Sequence, residues 1–291
     1  MWPKASRAVW LLAGAALCAP AWAYTAAGDR VFPATVVLPQ IGPSDEAYVT
    51  ASTLPQDPAL GDTRDSTLAF TIDKTITDQF SVTMTETYSI NETTIGTREG
   101  WQNFDAAGQY VVVVNPVHEF LLSVGVDQNF GGTGAARVGA SGYGSTTPEV
   151  FLGKGLGDYD IGLLRPLAIA GYAGFQVADG GAHNSAVQSG FVVEYSFAYL
   201  ESKVAPVPLP GFLRSTTLMC EFAFSNPVAE NGGKASVLVA PGFNYAGQGW
   251  DVGVEALVPA SGSAGRGLGF IAQLHFSLDY LLPDSVGQPL L

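Results

Sequence analysis

Carboxylates are the residues of this chain best placed to do chemistry. Glu119, Glu149, Glu194, Glu221 and Glu255 each sit in a separate stretch of alternating polarity, and Asp251 and Asp279 do the same near the end. Carboxylates on the polar faces of strands that enclose a lumen attract cations and repel anions. The plainer alternative is a polar interior whose acids are solvated or hydrogen-bonded. Their positions along the strands differ, Glu119 toward one end and Glu255 toward the other, so a single tight ring is not expected. His275 shares a face with Gln273, Ser277 and Asp279. With Ser277 it forms a histidine-x-serine pair, in which an imidazole can activate a hydroxyl as nucleophile. A lipid hydrolase built this way needs its serine toward the bilayer, whereas this pair falls on the polar face; Glu255 on the adjacent strand is a candidate third member. Such short matches are common by chance, and catalysis ranks below a pore.

The elements that position these groups are strands. In Arg266–Leu282, RGLGFIAQLHFSLDYLL, Phe270, Ala272, Leu274, Phe276, Leu278 and Tyr280 alternate with Gln273, His275, Ser277 and Asp279. That period of two, over more than ten residues, has the length of a strand crossing an outer membrane. Twelve such strands are predicted: Glu46–Thr53, Asp65–Asp73, Phe80–Ile90, Gln102–Val114, Val117–Asp127, Thr147–Lys154, Pro166–Val177, Gly190–Leu200, Leu213–Ser225, Ala235–Tyr245, Gly249–Val258 and Gly267–Leu281. The fold class is therefore all-β, an antiparallel transmembrane outer-membrane β-barrel of about twelve strands, with 35 glycines and 18 prolines in keeping with its many turns.

The first residues describe an export signal. Lys4 and Arg7 precede an apolar run, Ala8 to Ala19, and Ala21-Trp22-Ala23 is a small-residue cleavage site. Residues 1–23 read as a signal peptide, 24–45 as a leader and 46–291 as the barrel. Within the leader Val31–Leu38 is a candidate strand, and the leader is a candidate plug for a lumen of this size, intermediate between filled eight-stranded and open sixteen-stranded barrels. Only Cys220 of the two cysteines lies in the mature chain, so no internal disulfide forms. With 13 basic against 26 acidic residues, and Lys4 and Arg7 in the removed segment, the mature charge is about −15. Nucleic acid is excluded as a partner of such a surface. His118, His183 and His275 lack ligand spacing, and neither Gly131–Gly134 nor Gly153–Gly157 carries a nucleotide-binding context, so neither metal nor cofactor is expected.

Counting back from a periplasmic C-terminus puts the short Asn115-Pro116 and Ala246–Gln248 turns in the periplasm and the longer Asn129–Thr146, Ala178–Ser189, Asn226–Lys234 and Pro259–Arg266 outside. Leu156–Arg165 and Glu201–Phe212 are long for periplasmic turns. Outward-facing sets are Phe120, Leu122, Val124 and Val126; Phe191, Val193, Tyr195, Phe197 and Tyr199; and Trp250, Val252, Val254, Ala256 and Val258. Glu86 breaks the pattern by sharing a face with Phe80, Val82 and Met84, which calls for a bulge or an interfacial position. Trp101, Tyr110, Tyr245, Trp250 and Tyr280 are candidates for the aromatic girdles.

Several segments, NPVHEFLLSVG from Asn115, GGTGAARVGA from Gly131, TPEVFLGKGLGD from Thr147, LRPLAIAG from Leu164 and above all GRGLGFIAQLHFSLDYLLPDSVGQPL from Gly265, resemble Gram-negative outer-membrane proteins grouped with the transporter-like barrels named for the MetA pathway of phenol degradation. The resemblance spans residues 46 to 291. It implies an outer-membrane location and passage of small organic solutes, aromatic ones included, and supplies no catalytic residues. Partners would be outer-membrane lipid and lipopolysaccharide, the barrel-assembly machinery during biogenesis, and the solute. A structural or adhesive barrel with a closed lumen is the alternative, and a hydrolase using His275 and Ser277 the third.

Overall fold

The computed structural model describes residues 25–180, 185–206, 208–228 and 233–291; the segment read as a signal peptide and His183 lie outside the described residues. Twelve strands form: β1 (Glu46–Pro55), β2 (Asp62–Thr77), β3 (Phe80–Thr93), β4 (Gly96–Trp101 continued by Phe104–Asn115), β5 (Phe120–Phe130), β6 (Ser145–Gly155), β7 (Leu167–Ala178), β8 (Ala186–Ser196), β9 (Thr216–Pro227), β10 (Ser236–Ala246), β11 (Trp250–Pro259) and β12 (Gly269–Ser277). Each pairs antiparallel with its chain neighbours, and β12 pairs with β1 from Phe270 opposite Thr53 to Ser277 opposite Glu46. The sheet thus closes into a barrel, and only the Gly96–Trp101 part of β4, which extends beyond it, is paired on β3 alone among the described strands.

The alternation that predicted the strands also sets their faces. Ile72 is 55% and Leu274 41% exposed on the outer wall, while Thr71 and Gln273 beside them are buried inside. Tyr245 and Trp250 pack 6.0 Å apart at the rim assigned to the periplasm. Between Tyr88 opposite Trp101 and Thr85 opposite Asp105, β3 has two residues and β4 has three, a bulge at Gln102–Phe104. Because the extra residue is in β4, Glu86 keeps its outward face, opposite Phe70 of β2.

Strand ends depart from the sequence pattern where local hydrogen bonds turn the chain. β12 stops at Ser277, whose N–H donates to Gly249 O, and Leu278–Leu281 is a helical turn begun by the Leu278 N–H on Asp45 O. Asp279 therefore leaves the lumen face on which the alternation had put it. β8 stops at Ser196, whose hydroxyl accepts from the Tyr199 N–H, so Phe197 and Tyr199 are not outward strand residues. β5 starts at Phe120 because Asn115 caps a short turn, Pro116–His118, and leaves Glu119 in the left-handed region at φ 46°. Glu119 is accordingly a rim residue, not a strand one.

The leader does not form a strand over Val31–Leu38. Arg30–Val31 pairs briefly with Ala26–Ala27, and the chain then enters the lumen in turns before returning to β1. Phe32, Leu38 and Ile41 join Leu121, Phe151, Ala168, Ala170 and Val192 in one apolar core. The wall is cut back to receive them. A Cβ at Gly153 would lie 2.5 Å from Ile41 Cδ1, at Gly190 2.4 Å from Leu38 Cδ2, and at Gly253 2.5 Å from Val36 Cγ2.

Gly253 meets little besides that valine methyl, whereas a Cβ at Gly242 would lie 2.0 Å from Val254 O in the neighbouring strand. Gly253→Val should therefore leave a heat-modifiable barrel but expel the leader, raising chymotrypsin cleavage between residues 25 and 45 by about tenfold or more. Gly242→Val should instead destabilise the barrel itself. Equal protection of the leader in native protein and Gly253→Val would contradict this packing.

Candidate lumen site

Four groups of polar side chains occupy the lumen, and the first anchors the leader at the rim. Arg30 is buried, its Nε 3.3 Å from Glu119 Oε2, and its guanidinium donates to the carbonyls of Arg165, Pro166 and Leu167. It also lies 4.0 Å over the Tyr199 ring, whose hydroxyl donates to Glu119 Oε1 at 2.6 Å. The Gly157 N–H donates to Glu119 Oε2 at 2.9 Å, beside Arg30 Nε. The two long connections at this rim, 156–166 and 197–215, thus exceed ordinary turns because they carry the clamp.

The second group holds the leader at mid-depth. Glu221 of β9 accepts the backbone N–H groups of Val36, Val37 and Leu38 at 2.6, 3.1 and 2.7 Å. Three consecutive amides in a turn have no ladder to join, and a carboxylate is the strongest acceptor available. Glu255 of β11 lies against Glu221 and is 1% exposed.

The third group spans the closing seam. His275 of β12 places Nε2 2.5 Å from Glu46 of β1 and Nδ1 2.9 Å from Asp251 of β11; Asp251 also accepts from Asn244 at 2.6 Å. Tyr48 stacks on the imidazole at 5.4 Å. Beside it Asp45 binds Lys74 and Thr75, which ties the end of the leader to β2. Both ring nitrogens of His275 face carboxylates, and His275 and Ser277 are buried inside, so this geometry offers Ser277 neither a free base nor a bilayer-facing lipid.

The fourth group lines open space. A cavity of about 430 Å³ lies beside the leader, bounded by Asp105, Asp127 and Glu149 on adjacent strands β4, β5 and β6, by threonines of β1 to β3, and below by Thr35–Gln40. Asp105 and Asp127 also line a cavity of about 440 Å³ under the outer loops. Glu149 is therefore the one glutamate of the predicted set that faces this shaft. Glu194 is buried in the apolar half, and Glu119, Glu221, Asp251, Glu255 and His275 belong to the anchoring groups. With Phe120, Leu122, Val124 and Val126 outward, the alternation of β5 leaves Asp127 on the inner face, where the sequence assigns it no role; Arg30, Glu46, Asp73 and Asp105 were missed as well. Asp105 was accessible to it, since Asp105, Ala107 and Gln109 share the inner face of β4; Arg30 carried no periodic signal.

An outer-membrane channel from Pseudomonas putida F1 is similar at a TM-score of 0.52 and 12% identity, covering 85% of this chain and 99% of that one. A KdgM porin in complex with disordered oligogalacturonate matches at 0.49 and 12%, and the NanC porin at 0.49 and 9%, each covering 79% of this chain and 98% of its own. No family model matches the chain, and no curated protein matches it in sequence. At 12% identity the likeness to the Pseudomonas channel shows the fold, that of an outer-membrane barrel.

Burial, reinforced by its hydrogen bond to Glu119, pushes the Tyr199 hydroxyl up to about 12. A tyrosine raised above its ordinary value of about 10 contributes stability that is complete below pH 10 and disappears as pH climbs toward 12. Ultraviolet difference titration of native protein against Tyr199→Phe should show the missing phenolate appearing near pH 12. A transition near pH 10 would mean an open clamp. Arg30→Ala, which strands Glu119 against the ring, should cost about 3 kcal/mol or more in denaturant unfolding from detergent.

Proposed function

We propose that this protein is an outer-membrane channel for small organic solutes, closed at rest by its own residues 25–45, with a one-sided acidic shaft that favours cationic and neutral solutes over anions. The observation that carries this reading is the division of the lumen: the leader fills the half beneath β6 to β11, while Asp105, Asp127 and Glu149 border open space on the other side. Solute passage is also what the resemblance to the MetA-pathway barrels implies, aromatic solutes included. The signal-like N-terminus, the outward apolar wall and the fold together support an outer-membrane location.

A second reading, a barrel with a permanently closed lumen whose outer loops do the work, is favoured by the number of bonds on the leader. The two separate in planar bilayers. Refolded mature protein should give small or rare cation-preferring steps, and Gly253→Val or Glu221→Gln, which loosen the leader, should enlarge them several-fold. Asp127→Asn with Glu149→Gln should lower the cation preference read from the reversal potential in a salt gradient. Silence from native and loosened variants alike, each shown to be folded, would support the closed barrel.

A further inference from the structure

We infer that the shaft is a binding site for a small organic cation, an ammonium or guanidinium group on a compact body, seated on the floor made by Thr35–Gln40. This rests on the channel reading for the solute's access and names the class of solute. The cavity volume, about 430 Å³, is that of a small-molecule pocket. Its described lining residues include Asp73, Asp105, Asp127 and Glu149 and no Lys, Arg or His. A ligand there meets carboxyl groups on four strands and, among the described lining residues, no positive side chain.

A buried neutral acceptor on the same wall points to a donor-bearing ligand independently of the charge. Gln273, 3% exposed, gives its amide N–H to Thr50 Oγ1 at 3.1 Å, and its Oε1 has no hydrogen-bond donor. Gln273 lines the cavity. Buried acceptors are ordinarily satisfied, and an ammonium carries three donors and a guanidinium five. Tyr172, stacked on Phe151 at 6.2 Å, and Tyr48 add aromatic rings, which attract a desolvated cation. An anion finds no positive side chain among the described lining residues, and a neutral isostere loses the charge contribution.

The test is calorimetric titration of full-length mature protein, folded in detergent by heat-modifiable migration, with phenethylammonium, phenethyl alcohol and phenylacetate. Phenethylammonium should bind at least about tenfold tighter than the alcohol, phenylacetate should not bind, and Asp127→Asn with Glu149→Gln should weaken the ammonium about tenfold or more. Equal binding of ammonium and alcohol, preference for phenylacetate, or an unchanged affinity in the folded variant would overturn the inference. If the variant does not fold, the ranking of the three probes on native protein decides. Binding in micelles needs no conduction. Ammonium binding without conductance in any variant therefore sinks the channel and keeps the site, whereas conductance without ammonium binding sinks the site and keeps the channel.

Discussion

The carboxylate of Glu221 is the constraint on which the interior depends. Residues 36 to 38 turn inside the lumen, away from water and away from any strand, and their three N–H groups all require an acceptor. Glu221 supplies it with both oxygens, and the Thr35 hydroxyl closes the same turn on Leu38 O at 2.7 Å. Once those backbone groups are satisfied, the side chains of Val36 and Leu38 can seat over Gly253 and Gly190. The order of cause runs from polar satisfaction to apolar packing. A leader with the same hydrophobic residues and no carboxylate opposite would bury three orphan donors, and at about 1–3 kcal/mol each that offsets much of what the apolar contacts contribute.

The barrel was legible in the sequence because a strand between lipid and lumen must alternate, and the polar and apolar residues of β5, β11 and β12 do so. What alternation does not register is where a strand stops. Leu278, Asp279 and Tyr280 continue the period of β12, yet the Leu278 N–H goes to Asp45 O and the chain turns. Glu119 was misplaced for a related reason, since the Asn115 cap consumes the residues that would have extended β5. The leader was legible only as a candidate plug. Its apolar residues, Phe32, Val36, Leu38 and Ile41, follow the spacing of the glycines they meet on distant strands and not a helical or strand period, and no local pattern encodes such a match.

The same limit explains why counting lumen acids overstates the charge a solute meets. Alternation shows that a carboxylate points inward and says nothing of what stands opposite it. Glu119 faces Arg30 and Tyr199, Glu221 faces backbone amides, and Glu46 and Asp251 face the imidazole of His275. Each has its lone pairs committed to holding the leader or the seam. Asp105, Asp127 and Glu149 lie on adjacent strands across from the leader and border open space instead. The wall chemistry divides the same way. Glycines and alanines on β6, β7, β8 and β11 leave room for side chains of the leader, while Thr71, Thr83 and Thr85 on β2 and β3 present hydroxyls. A solute in the proposed channel would have these carboxyls on one side and the chain's own turn on the other. In the channel proposed above, cation preference would then be set by three carboxyls and by how far the leader gives way, not by the acidity of the chain as a whole.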